Sequence, residues 1–256
     1  MRPGDAIVEV AGAALGLATE VSGTVVDAGP AAREWLGRRV VVPRLLPCGD
    51  CDHCRRGRVA ACASPTVRGA LERTQAVPAR WLTSVEPPLW PDGVELWQLA
   101  ALADAALAPY TALGRAGVGP SDSVVVYGND ARALFARELA AAKGAKLVER
   151  PVDGAVVVAT GPRQWPRALG ELAPGVTVML LDAVEMSADW SKVVAHEAHV
   201  HGVVGGHPDL LPELVALVVR GQLRLPPAVR RIAPAEADAA RAAYLADGGL
   251  LPIVTA

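Results

Sequence analysis

The chain is short of aromatic residues: one Phe among 256 residues, with Phe, Trp and Tyr together at 4%. Its apolar content of 52% therefore rests on Ala, Val and Leu, which is ample for a core. No run of about 18 apolar residues occurs, which excludes a membrane-spanning helix. Neither sign of charge dominates, with 25 basic and 27 acidic residues and a formal net charge of −2. Nucleic acid and anionic membrane surfaces are therefore not expected partners. Cysteine is absent outside one short segment. That excludes a disulfide framework stapling distant loops, and it points to thiolates kept reduced in the cytoplasm. The opening Met-Arg-Pro-Gly-Asp leads into no apolar stretch, so no secretory signal is expected there.

What is present begins with that segment. Cys48, Cys51, Cys54 and Cys62 follow the spacing Cys-x2-Cys-x2-Cys-x7-Cys. Four thiolates around Zn²⁺ make a closed tetrahedral site with no position left for substrate. The surrounding residues, rich in charge and interrupted by Gly49 and Gly57, read as a loop. The expectation is one structural zinc per chain, which staples a lobe and names no reaction.

Periodicity divides the chain in two. Short alternating or β-branched stretches at 6–10, 20–27, 39–43 and 74–78, cut by Gly and Pro, predict a small barrel. Pro87-Pro88 and Pro91-Asp92-Gly93 punctuate the chain as a linker. Beyond them the pattern changes. A helix is expected over 96–116 and another over 132–143, with apolar strands at 123–127, 155–159, 176–181 and 199–204. Buried strands alternating with helices predict a parallel sheet covered on both faces. An amphipathic helix is expected over 210–220, and a last strand at 250–254 that returns to the first lobe. The expected domains are 1–90 with about 223–256, and 91–222.

The order of a zinc-loop β lobe and a nucleotide-type lobe resembles the medium-chain dehydrogenase/reductase family, the zinc alcohol dehydrogenases. The resemblance is carried by Glu20-Val-Ser-Gly-Thr-Val-Val, Gly37-Arg-Arg-Val-Val-Val-Pro, Pro47-Cys-Gly-Asp-Cys and Leu102-Ala-Asp-Ala-Ala-Leu-Ala-Pro-Tyr. It implies a GroES-like β-barrel lobe with a structural zinc loop and a truncated Rossmann lobe. It also implies a second, catalytic zinc, a nicotinamide cofactor and subunit contacts along the Rossmann sheet edge.

The sequence departs from that pattern at the chemistry. The family's catalytic zinc needs three protein ligands. The first, a cysteine, has no counterpart, Thr19 stands at the histidine position, and a long substrate-side segment is missing between Gly16 and Ala18. Asp104 stands where some members place a carboxylate ligand, and Glu20 keeps the motif's glutamate. The expectation is that the catalytic zinc is lost, with Asp104, Glu20 and Tyr110 left as candidate acids or bases. The dinucleotide loop is also altered. Gly128-Asn-Asp-Ala-Arg-Ala133 keeps the first glycine but places Asp130 where backbone should approach pyrophosphate. Gly128, Arg132 and the strand-end acid Glu149 are the candidate NAD(P) contacts, at a loop that opposes tight binding. Two readings follow: an oxidoreductase working without catalytic zinc, or a silent member kept for binding, pairing with itself or a paralogue through the sheet edge. A third is hydration or elimination on an acyl thioester in the remodelled cleft. His199 and His201 share one face of that edge strand, either as joint metal ligands or as interface residues.

Overall fold

A computed structural model describes residues 1–16, 19–43, 45–67, 72–86, 90–103, 105–181, 189–225 and 228–255. The chain forms two units, Met1–Asp104 with His207–Ala256, and Ala105–Gly206. The first boundary falls later than the expected 90, and the return falls earlier than 223. The cause is packing: the 3-10 segment Leu96–Ala103 lies against the first unit's strands, and the helix Leu211–Val219 packs on that segment.

The first unit is built on two long strands, β1 (Asp5–Leu15) and β2 (Thr19–Ala28). They pair antiparallel from Ala6↔Ala28 to Leu15↔Thr19, with register shifts at Ile7/Val8 and Val10/Gly12. Such irregularities bend and twist a strand. Next come β3 (Arg39–Val42) and the two-residue strands β4 (Leu45–Leu46) and β5 (Thr66–Val67), which enclose the cysteine segment and its single-turn helix α1 (Asp52–Arg55). β6 (Thr74–Pro78) and β7 (Thr83–Ser84) complete the N-terminal part. On its far side β1 pairs with β6 along Asp5–Glu9 and with a C-terminal strand at Ala13 and Ala14. Its interior is made of Val8, Val21, Val25, Val40, Val42, Val77 and Trp81.

The expected single helix over 96–116 is two pieces. The 3-10 segment Leu96–Ala103 belongs to the first unit, and α2 (Leu107–Arg115) opens the second after a turn at 105–106. Pro109 sits in the first turn of α2, where its missing N–H breaks no intrahelical bond. Then follow β8 (Ser123–Tyr127), α3 (Ala131–Ala142), β9 (Lys146–Leu147), β10 (Val156–Ala159), α4 (Trp165–Gly170), β11 (Thr177–Leu180), α5 (Trp190–Ala195) and β12 (His199–Gly202). The strands pair parallel in the order β12-β11-β10-β8-β9. Composition follows position. The central strand β10, Val-Val-Val-Ala, is wholly buried, while the edge strand β9, Lys-Leu, is exposed. β12, His-Val-His-Gly, forms the other edge and is largely exposed.

Returning to the first unit, the chain forms α6 (Leu211–Val219), β13 (Val229–Ile232), α7 (Ala237–Asp247) and β14 (Leu251–Val254). β14 is the C-terminal strand beside β1, so the expected return at 250–254 is observed. No helix among the described residues is long and apolar enough to cross a membrane.

Candidate functional site

The cysteine segment folds into one pocket of sulfur. The four Sγ atoms all lie within 4.8 Å of one another, and among the described residues this is the one group of three or more His, Cys, Asp or Glu donors in such reach. Zn–S bonds of about 2.3 Å put neighbouring sulfurs of a tetrahedral site about 3.8 Å apart. Cys48 Sγ and Cys54 Sγ are 3.9 Å apart. Backbone N–H groups point at the sulfurs: Cys48 N donates to Cys62 Sγ at 3.3 Å, and Cys51 N to Cys48 Sγ at 3.4 Å. Backbone donors from Ala63 and Cys54 lower the Cys51 thiol to about 6. The Cys62 thiol is lowered chiefly by the Cys48 N–H. Cys54 goes the other way, to about 12, because desolvation opposes its charge and three sulfurs crowd it. A bound divalent cation inverts that balance and deprotonates its thiol ligands. Arg80 ties the loop to the barrel by donating to the Cys48 carbonyl at 3.0 Å, with its guanidinium 5.4 Å from the Trp81 ring centroid.

At the other end of β1 the chain turns back almost at once. Only residues 16–18 separate β1 from β2. Glu20 stands opposite Ala14 in this hairpin and is 1% exposed. Ser22, on the same face, donates to the Trp97 carbonyl at 3.4 Å. Gly12 permits this closeness, since a Cβ there would collide with the Trp97 backbone. Asp104 lies outside the described residues. Tyr110, on α2, is half-buried with Lys143 Nζ 5.3 Å from its ring centroid.

In the second unit the loop after β8 is arranged around Asp130. This residue caps α3: its Oδ1 accepts the Ala133 N–H at 2.9 Å and the Thr160 hydroxyl at 2.7 Å. Its Oδ2 accepts Arg132 Nε at 3.1 Å and Nη2 at 2.9 Å. Both residues are buried, at 6% and 8% exposure, and Arg132 Nη1 reaches the Leu181 carbonyl at 3.5 Å. Gly128 has φ 141°, a conformation suited to glycine, and a Cβ there would collide with Thr160 Oγ1. Arg132 is thus brought to Asp130, while Glu149 is not. Glu149 is exposed and lines a 450 Å³ cleft beside β9 with Tyr127, Arg137 and Arg167.

Sequence reasoning missed Thr160 and that cleft. Thr160 follows β10, and neighbouring parallel strands bring their C-terminal ends together, which is the signal that could have placed it beside the Gly128 loop. In the cleft Tyr127 donates to Glu171 Oε2 at 2.6 Å, and Arg167 lies 4.4 Å from the Tyr127 ring centroid. Burial, then the Glu171 carboxylate, pushes Tyr127 up to about 12. Burial lowers the Arg137 guanidinium, whose Nη2 donates to the Val126 and Gly128 carbonyls at 3.1 and 2.9 Å.

Comparison with known proteins agrees with this architecture. Residues 2–87 match the alcohol dehydrogenase GroES-like domain. An uncharacterized zinc-type alcohol dehydrogenase-like protein of Escherichia coli, YphC, is 27% identical over 203 residues, which cover 68% of this chain and 57% of that protein. The match thus spans little more than half of the curated relative. Among solved structures, a thermostable alcohol dehydrogenase from Pyrobaculum aerophilum superposes with TM-score 0.82 at 19% identity, covering 99% of this chain and 92% of that one. Alcohol dehydrogenase TADH from Thermus sp. ATN1 gives 0.81 at 20%, covering 100% and 93%. A putative zinc-binding dehydrogenase from Sinorhizobium meliloti, bound to NADP, gives 0.81 at 18%, covering 100% and 93%. At such identities the superpositions speak to fold alone. With the matched N-terminal domain, the zinc-type relative and the quoted motifs, they support the resemblance to the medium-chain dehydrogenase/reductase family.

Proposed function

We propose that this chain is a zinc-stapled binding or partner subunit of its family and does not carry out zinc-dependent hydride transfer. One observation carries the reading: a carboxylate of the chain itself occupies the anion position at the start of α3. A dinucleotide pyrophosphate needs free N–H groups at that helix N-terminus and a backbone it can approach. Here Asp130 accepts the Ala133 N–H and pairs with Arg132. One N–H and one guanidinium that could meet a phosphate, those of Ala133 and Arg132, meet Asp130 instead, and its charge repels a second anion. The residues present therefore do not fit a bound dinucleotide in the family's manner.

Two features support the same reading. Only three positions, 16–18, separate β1 from β2, where the family resemblance calls for a long substrate-side segment. The donor set is also wrong for the family's catalytic zinc, since every cysteine is in the structural loop and Thr19 stands at the histidine position. The four thiolates do fit one Zn²⁺, which there supplies cross-linking and folding free energy rather than chemistry. For partners, the open edge at β12 is the surface on which a second copy pairs. The reduced cysteine cluster favours the cytoplasm.

The test is calorimetric titration of the zinc-loaded chain with NADH and with NADPH, alongside metal analysis. Neither cofactor is expected to give a saturable micromolar isotherm, and zinc is expected at one per chain before any further zinc is added. A micromolar dissociation constant for either cofactor, or two zinc ions per chain, refutes the proposal.

A further inference from the structure

The open edge of the parallel sheet carries two imidazoles with no role so far. β12 ends the sheet, with β11 on one side and no strand on the other among the described residues. Alternate side chains of a strand face opposite ways. Val200 packs on the layer that contains Val178 and Leu180, so His199 and His201 share the other face. Both are exposed. Their rings are close to parallel, with centroids 6.4 Å apart and planes inclined by 23°.

Imidazole is a ligand for zinc, copper and nickel. A pair on same-face neighbouring positions can span one ion, but it fills only two of the four positions of tetrahedral zinc. The strand can supply the other two through its own edge. An unpaired edge is a template for another strand. Antiparallel pairing of two copies centred on Val200 sets His199 of each chain opposite His201 of the other. Directly opposed residues have Cβ atoms about 4.5–5.5 Å apart. Both cross-strand pairs lie on one face, so four imidazoles surround a single position. The helix leading into β12 adds apolar surface for a second copy: Trp190 and Val194, one turn apart on α5, are 56% and 78% exposed. His196 does not join the set, since its ring Nδ1 lies 2.9 Å from the Lys192 carbonyl on its own helix.

We infer that His199 and His201 form half of a divalent transition-metal site that a second copy of the chain completes, so that one zinc ion clamps two chains edge to edge. The inference rests on the self-pairing reading above and adds the ion and its ligands to it.

The experiment starts from the chain with its thiolate loop already zinc-loaded. Zn²⁺ is then added at neutral pH, with uptake followed by calorimetry and mass by sedimentation velocity. The expected result is further uptake of one zinc per two chains, accompanied by dimer formation. His199→Gln and His201→Gln should each abolish both, while His196→Gln should leave both intact. Uptake at one further zinc per chain without a change of mass overturns the inference, as does uptake that survives the double substitution. A dimer that forms without added zinc and persists in the double variant overturns the metal clamp but keeps the edge pairing. A chain that takes no further zinc and stays monomeric overturns both.

Discussion

Replacing Asp130 by Ala removes a helix cap, a hydroxyl partner and one half of a buried ion pair. Loss of an Asp N-cap costs about 1 kcal/mol. Removing one partner of a buried pair costs more, up to about 3–5 kcal/mol, because the other charge stays buried without its carboxylate. Here that charge is Arg132, at 8% exposure and held between α3 and the Leu181 carbonyl. The two costs arise from one carboxylate and do not add, so the expected loss for Asp130→Ala is up to about 3–5 kcal/mol. Asp130→Asn keeps a capping oxygen but removes the charge, and should recover only about 1 kcal/mol of that loss. The double variant Asp130→Ala with Arg132→Met removes the remaining buried charge as well and should be more stable than Asp130→Ala alone. A chain of two units need not unfold in one step. The suitable assay is therefore hydrogen exchange of the β8 and β10 amides, whose protection reports the stability of the second unit. If Asp130→Ala changes that protection by less than 1 kcal/mol (about fivefold), and the double variant shows no recovery, the carboxylate is not the organising group of this loop.

Three further outcomes are expected. Cys51→Ser should release zinc to a chelator and make the 48–62 segment a proteolysis site; full zinc retention after dialysis would remove the thiolates from the metal assignment. Gly128→Ala should destabilise the second unit by about 1–3 kcal/mol from backbone strain alone. Adding Thr160→Ala should recover only the part due to collision with the hydroxyl, and chemical denaturation of the single and double variants separates the two. Alkaline stability should depend on Tyr127, whose proton is held to about 12 in the folded chain against an ordinary 10. A raised folded-state value means that stability is intact below pH 10 and falls as pH rises toward 12. Glu171, lowered first by the Tyr127 hydroxyl, has the opposite sign and loses its contribution as pH falls below the usual glutamate range. Tyr127→Phe should flatten both limbs of the pH–stability curve, and an unchanged alkaline limb would refute the assignment.

Strand positions in both units were legible because β-branched runs between Gly and Pro leave few alternatives. Ser123–Tyr127 and Thr74–Pro78 coincide with their expected spans. Helix continuity over 96–116 was not legible, since Ala and Leu suit one long helix as well as two short pieces. What breaks the helix is tertiary, the packing of Leu96–Ala103 on β1, β2 and β3. The late elements β13 and α7 were missed because Val-Arg-Arg-Ile and an Ala-rich stretch with scattered charge carry weak periodicity. The gathering of the four cysteines was legible, since they are close in sequence. Asp130 was noticed as an obstacle to phosphate and Arg132 as a charge that could offset it, but the helix cap and the contact with Thr160 were not noticed. That contact joins residues thirty apart and exists only once β8 and β10 lie side by side.

The pairing of β14 with Ala13 and Ala14 of β1 has a consequence for order of assembly. The unit spanning 105–206 is continuous, so all of it has left the ribosome while the first unit still lacks its closing strand. Until Leu251–Val254 arrives, half of β1 waits with an unsatisfied border, a slow and long-range closure of the kind that exposes nascent chains to sticking. The cysteine loop, made of residues 48–62, is complete long before that moment and can load its ion while the closing strand is still to come.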